Sequence, residues 1–247
     1  MEILIAIDDT DNLDSKGTGE LAEEIAVTIR KRGWGNTQGV TRHQLFIHKD
    51  IPYTSHNSSM CFRAEIKPEF FEEIKQFSQE YLRKESADGS DPGLCIVTIH
   101  ELKNHEKLME FGSNAKKQII TKKEAYDLAK ELGIHLSEHG GTGQGIIGAL
   151  AGAGLRLRGS DGRFKGGINL PKDKTSVQVK ELKNYDNLNE VMSIDGQIIN
   201  DEEYVLINGK IKTVLLNHRA VLFVQPAETE DEGARWENCS KQYLRRF

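Results

Sequence analysis

Five consecutive apolar residues, Ile3, Leu4, Ile5, Ala6 and Ile7, run straight into Asp8 and Asp9. A strand with one wet face would alternate; an unbroken apolar run predicts a strand buried on both faces. Such a strand needs cover on each side, so the chain is expected to be α/β, a layered mixed sheet with helices. Asp11 and Asp14 follow, then Lys16-Gly17-Thr18-Gly19 opens a segment with Leu21, Ala22, Ile25, Ala26 and Ile29 at helical spacing. That spacing predicts a helix from Thr18 to about Lys31, with Thr18 as a candidate N-cap and a stop at Gly33-Trp34-Gly35. Thr18 equally suits a catalytic or phosphate-contacting role.

A buried strand that ends in carboxylates and turns through glycines into a helix has a chemical use. Carboxylates hold hard cations, and the free N–H groups of a new helix receive phosphate. A calcium loop starting at Asp9 fails, because Leu13 and Asp14 fall at positions five and six, where a ligand and glycine are needed. Asp9-Thr10-Asp11 also fits the Asp-x-Asp of an aspartyl-nucleophile phosphatase. The plainest alternative is a turn rich in Asp and Asn, residues that favour turns and caps. Four acids in seven residues repel one another, which favours a functional role.

The 247 residues allow one large domain or two smaller ones, and the net charge of −5 gives no general pull toward nucleic acid or anionic membrane. RNA binding would need a local basic patch. Three cysteines, Cys61, Cys95 and Cys239, lie far apart without a Cys-x-x-Cys, which argues against a disulfide framework or a zinc ribbon and fits a reducing cytoplasm. No apolar stretch approaches the roughly twenty residues of a membrane helix. The expectation is a cytoplasmic protein with no membrane partner.

Along the chain, 40–48 reads as a strand, 51–59 as a polar loop dense in hydroxyl and imidazole groups, and 60–66 as an alternating strand. Residues 67–84 read as an amphipathic helix whose aromatics belong to the core. A turn-rich loop at 86–93 contains Asp91, a further carboxylate or a turn cap. After a strand at 94–99, helices are predicted at 103–112 and 121–132, the latter opened by a Thr121–Glu124 capping box. The order suggests ferredoxin-like elements.

The second informative stretch is rich in glycine. Gly140, Gly141, Gly143 and Gly145 would let backbone N–H groups approach an anion ahead of a helix of small residues. Gly143-Gln144-Gly145-Ile146-Ile147-Gly148 formally matches a dinucleotide fingerprint, but no clean apolar strand precedes it and no Lys-Ser or Lys-Thr makes it a Walker loop. His135 and His139 are four apart, with glycines following at once, which disfavours zinc. Arg156, Arg158, Arg163 and Lys165 form a basic stretch suited to phosphate or to a solvated strand edge. Residues 1–170 are read as one α/β region. Residues 171–247 are read as a linker at 171–175, a small C-terminal β module with hairpins, and a tail with an acidic patch at 228–232.

Four separated motifs agree in order and spacing with one group: Ile7-Asp8-Asp9-Thr10-Asp11-Asn12, Ile51-Pro52-Tyr53-Thr54, Asp91-Pro92-Gly93 and the stretch 145–154. Together they resemble the N-terminal half of the archaeal isoleucine-tRNA agmatinylcytidine synthetase (TiaS) family over residues 1–165. The resemblance implies an ATP-using domain that phosphorylates a tRNA cytidine and its own threonine. It implies that Asp8, Asp9 and Asp11 work with Mg²⁺ and ATP, and it places Thr18 near the phosphorylated threonine. The chain departs from the family in having no cysteines for the zinc ribbon and Gln144 where a basic residue is expected.

The resulting expectation is an ATP- and Mg²⁺-dependent phosphoryl-transfer enzyme, ligase-like, acting on RNA such as tRNA or on a nucleotide-like acceptor, alone or with a separate RNA-binding subunit. Asp8, Asp9, Asp11 and Thr18 are the catalytic candidates, the three aspartates the metal candidates. Thr10, Gly17, Gly19, Gly140, Gly141, Gly143 and Gly145 are the cofactor-binding candidates. The alternatives are a nucleotide-binding regulatory protein without turnover and the aspartyl-nucleophile phosphatase.

Overall fold

The structure is a computed structural model describing residues 1–51, 57–171, 174–231 and 234–247, with backbone alone for 228–231. Most of the polar loop at 51–59, part of the linker at 171–175 and the side chains of the acidic patch at 228–232 lie outside the described residues. The chain is mixed α/β, with six α-helices among the described residues. It separates into two compact units, Met1–Arg158 and Gly159–Phe247. The break precedes residue 170, because β7 (Arg163–Phe164) pairs with β11 (Val214–Leu216) and belongs to the second unit.

In the first unit, β1 (Glu2–Asp8) lies between β4 (Ser58–Ile66) and β5 (Gly93–Thr98), antiparallel to both. β6 (His135–Glu138) extends the sheet beyond β5. The opposite side of β4 carries β2 (Gly35–Thr37) and then β3 (Thr41–Gln44). With α1 (Thr18–Lys31) between β1 and β2, and α2 (Phe71–Glu85) between β4 and β5, this is the split βαβ arrangement of a ferredoxin-like sheet.

Both faces of β1 are covered, as its apolar run requires. Ile3, Ile5 and Ile7 pack with Leu21, Ile25 and Ile29 of α1 and with Ile74 and Leu82 of α2. Leu4 and Ala6 face the other way, into a core with α3 (His105–Asn114), α4 (Lys122–Leu132) and α5 (Gly145–Arg158). The two layers bury the strand almost completely, with Ile3, Ile5 and Ala6 at 0% exposure. The aromatics of α2 are core-facing as expected, since Phe71, Phe77 and Tyr81 pack against the first layer.

α5 lies unusually close to the sheet because its glycines carry no side chain there. A Cβ on Gly152 would crowd Ser59, and one on Gly93 of β5 would collide with the backbone of Gly145. α4 opens with the expected capping box: Thr121 accepts from Glu124 N while the Glu124 carboxylate accepts from Thr121 N at 2.8 Å.

The second unit is a mixed sheet of short strands in the order β7-β11-β12-β13-β10-β8, with β9 beside β12. β12 (Arg219–Asp231) pairs antiparallel with β11 and β13 (Ala234–Asn238), but parallel with β9 (Glu190–Ser193). β10 (Tyr204–Leu206) joins β13 in parallel and β8 (Ser176–Gln178) antiparallel. The β11–β12 hairpin turns through Asn217 and His218, both at positive φ. Among the described residues no helix is long and apolar enough to cross a membrane.

Candidate functional site

The site grows from the end of β1. Asp8 is the last residue of the strand and is paired with Gly93 of β5. The chain must then leave the sheet, and Asp9 makes the bend at φ 52°, a left-handed conformation that short polar side chains adopt more readily than branched ones. Thr10 turns fully inward, its carbonyl accepting from Ala87 N at 2.9 Å. Beyond it, Asn12 Oδ1 accepts from Asp14 N at 3.0 Å and closes an Asx turn.

A hydroxyl chain ties this turn to α1. Thr10 Oγ1 donates to Thr18 Oγ1 at 3.1 Å, and Thr18 Oγ1 donates to Asp11 Oδ1 at 3.0 Å. Gly17, not Thr18, is the N-cap of α1, and it supplies no side-chain cap. Thr18 is the first helical residue, and its hydroxyl is committed to Asp11 instead.

Asp91, at the head of β5, joins the glycine loop to this cluster. Its carboxylate accepts from Thr142 N and from Thr142 Oγ1, the latter at 2.6 Å, and its carbonyl accepts from Gly145 N at 3.1 Å. Gly141 and Gly143 flank Thr142 at φ 55° and 75°. A side chain on Gly143 would strike Glu138, whose carboxylate accepts from Tyr126 Oη and pairs with Lys122 Nζ, each at 2.7 Å. Lys122 also donates to the Thr142 carbonyl at 2.7 Å. Asp91→Ala is therefore expected to loosen the loop without unfolding the unit. Thr142 is exposed, so water takes the place of the lost carboxylate and the cost should be only about 0.5–1.5 kcal/mol, with faster hydrogen exchange confined to residues 140–144.

These segments border one cavity of about 590 Å³. That volume lies within the range of small-molecule and cofactor sites, about 300–1,000 Å³. Asp8, Asp9, Asp11 and Thr18 form one wall, and Thr142, Gln144, Gly145 and Gly148 another. Lys122 is the only Lys or Arg among the described lining residues. Leu45, Ile119, Ile120 and Ile147 add an apolar wall, and Asp50, Asn57, Ser58 and Gln118 bring further polar groups to the lining. Ile119 is half exposed, at 48%.

The acidic wall is electrostatically loaded. Burial first, then the charges of Asp9 and Asp11, pushes Asp8 up to about 8, although the Asp9 N–H opposes this. Burial, then Asp91 and Asp11, pushes Asp9 up to about 6. Among the described residues, no group of three His, Cys, Asp or Glu side chains is gathered closely enough to hold a metal ion alone.

The sequence candidates divide by place. Asp8, Asp9, Asp11, Thr18 and Gly145 border the cavity. Thr10 lies beneath Thr18, Gly17 caps α1, Gly19 is buried in its first turn, and Gly140, Gly141 and Gly143 shape the loop behind Thr142 and Gln144. Sequence reasoning passed over Lys122, whose position behind a capping box gave it an ordinary explanation, and the tie from Asp91 to Thr142. It also missed the apolar wall at Ile119 and Ile120, which no local pattern marks.

No protein-family model matches the chain. An uncharacterized protein of Methanocaldococcus jannaschii is 28% identical over 155 residues, 62% of this chain and 50% of its own. Among solved structures, apo TiaS, a tRNA agmatidine synthetase, is similar at a TM-score of 0.51 and 25% identity, over 62% of this chain and 35% of that one. A complex of TiaS with tRNA and ATP is similar in fold at a TM-score of 0.54 and 20% identity, over 82% of this chain and 50% of that one. The chain thus spans about half the length of the curated relative it matches, and it is similar in fold to part of TiaS.

Proposed function

We propose that the first unit is an ATP-dependent phosphoryl-transfer site whose acceptor is RNA or a nucleotide-like group. The observation that carries this reading is the single cavity shared by the acidic end of β1 and the N-terminus of α5, segments more than a hundred residues apart in the chain. Similarity to TiaS, a tRNA agmatidine synthetase also solved with tRNA and ATP, supports the choice of nucleotide and of acceptor class.

The donor set fits Mg²⁺. Asp8, Asp9 and Asp11 crowd negative charge at one wall, while Lys122, the basic lining residue, already pairs with Glu138. Mg²⁺ is commonly held by one or two carboxylates together with substrate phosphates, so a closed protein cage is not needed. When bound, the ion supplies charge neutralisation on the polyphosphate. The protein supplies position and dipoles. The N–H groups of Gly143 and Gln144 meet no acceptor among the described residues, and with the start of α5 they suit phosphate oxygens. Lys122 would exchange Glu138 for a phosphate oxygen, and the apolar wall would take the base.

Thr18 is the side chain we assign to receive or contact the transferred group. It borders the cavity, and its proton is directed at Asp11, an arrangement suited to general-base activation of a hydroxyl. The test is Mg²⁺-dependent ATP consumption, with and without bulk tRNA, by wild type and by Asp9→Ala. Consumption by wild type and its loss in a folded Asp9→Ala protein are expected. Nucleotide binding without consumption would replace this reading with a regulatory one. Phosphate release from simple monoesters without ATP would replace it with the phosphatase.

A further inference from the structure

The second unit gathers positive charge on one face although the whole chain is acidic, at −5. The cause is strand pairing. Phe164 N donates to Thr213 O at 2.9 Å and Ile168 N to Ile211 O at 3.2 Å, so 163–168 runs beside 211–214. Ile211 and Thr213 are buried, at 1% and 4%, which turns the alternate residues Lys210 and Lys212 to the other side. There Lys212 Nζ donates to the Gly166 carbonyl, and the stem of Lys210 lies over Gly167. The C-terminal 3-10 turn, Tyr243–Arg246, packs Leu244 in one apolar cluster with Val214, the residue opposite Arg163, and so brings Arg245 and the preceding Lys241 to the same place.

We propose that the face formed by Arg163, Lys210, Lys212, Lys241 and Arg245 binds the phosphate backbone of a nucleic acid. Burial, then the charges of Lys210, Arg163, Lys165 and Lys241, holds the Lys212 ammonium below its ordinary value. Burial, then Arg245, does the same to Arg163. None of these five pairs with a carboxylate among the described residues. Elsewhere in the unit Lys174, Lys180, Lys183 and Arg219 are matched to Glu181, Glu202, Asp201 and Glu190. Unmatched like charges repel one another, and a chain of phosphates relieves that repulsion while releasing counterions.

Aromatic groups adjoin the cations. The Arg246 guanidinium lies 3.6 Å from the Tyr243 ring centre and 5.4 Å from that of Phe247, and both rings are half-buried. Phe223 packs against both rings, and the Arg246 guanidinium plane over Tyr243 suits the stacking of an unpaired base beside the basic face. A lipid surface fits less well. The large apolar side chains this unit exposes are Ile194, Ile198 and Tyr204 among the described residues, and none belongs to the segments that build the face.

The inference does not rest on phosphoryl transfer, because binding is measured without nucleotide. The probe is a fluorescent RNA stem-loop with a single-stranded loop, titrated with the whole 247-residue chain at several salt concentrations. The triple variant Lys210→Gln/Lys241→Gln/Arg245→Gln should bind about tenfold or more weakly. Its salt dependence should flatten by roughly 0.7 per lost contact, with an unchanged melt. The control Lys174→Gln/Lys180→Gln, which removes exposed but carboxylate-paired charges, should bind like wild type. Equal RNA affinity for the triple variant and wild type would overturn the proposal. So would loss of binding to phosphatidylserine vesicles with RNA binding intact, which would assign the face to lipid headgroups.

Discussion

Asp8→Asn is expected to abolish ATP consumption, by about a thousandfold, while making the ligand-free protein more heat-stable. The two effects have one origin. Asp8 is 9% exposed, and burial with the nearby charges of Asp9 and Asp11 pushes it up to about 8 from an ordinary value of 3.8. A carboxyl raised on folding binds a proton more tightly in the native state, so stability is lost as pH rises from about 4 toward 8. The full cost, a few kcal/mol, is present above the folded value and absent below the unfolded one. Asparagine keeps the shape without the charge. The melting temperature of Asp8→Asn should therefore match wild type near pH 4 and exceed it increasingly up to pH 8. Scanning calorimetry across that range, with turnover measured in parallel, checks both halves. Equal melting temperatures at pH 8 would show that the buried charge is already balanced, and retained turnover would remove Asp8 from the proposed chemistry.

The same residue shows what the sequence makes legible. A strand buried on both faces leaves an apolar run that little else produces, so β1 and the acids ending it are visible directly. The capping box before α4 is equally local, because its two hydrogen bonds span only Thr121 and Glu124. β6 leaves no such mark. Its residues His135, Leu136, Ser137 and Glu138 sit at the sheet edge, the first three half-buried and the last exposed, so neither an apolar run nor an alternation appears. That is why the glycine loop looked as though no strand preceded it. The start of α1 misled for a different reason. Threonine beside glycine reads as an N-cap, but Asp11 takes the Thr18 hydroxyl, and that contact depends on the turn at Asp9. Lys122 and Asp91 acquire their places only through partners remote in the chain, Glu138 and Thr142.

Gly148→Ala should be the most damaging single methyl in the first unit for its chemistry. An alanine normally strengthens a helix interior over glycine, by about 1 kcal/mol. Here the added Cβ would fall well inside van der Waals contact of Asp8 Oδ2 and 2.6 Å from Asp8 Cγ. Asp8 has little room to yield, since its backbone is paired with Gly93 and its side chain is enclosed. α5 cannot easily withdraw either, because Gly145 and Gly152, on either side of Gly148, hold it against β5 and β4. The expected result is a net destabilisation of about 1–3 kcal/mol and a loss of ATP consumption of at least about a hundredfold, as the carboxylate is driven out of position. A double-mutant cycle separates this from a general disturbance of the helix. Removing the obstructing carboxylate in Asp8→Ala/Gly148→Ala should restore stability beyond the sum of the single changes, with a coupling of about 1 kcal/mol or more, and should leave turnover absent. Strictly additive melting data would mean that the Asp8 carboxylate does not rest on Gly148, and the shared cavity would lose the contact that joins its two walls.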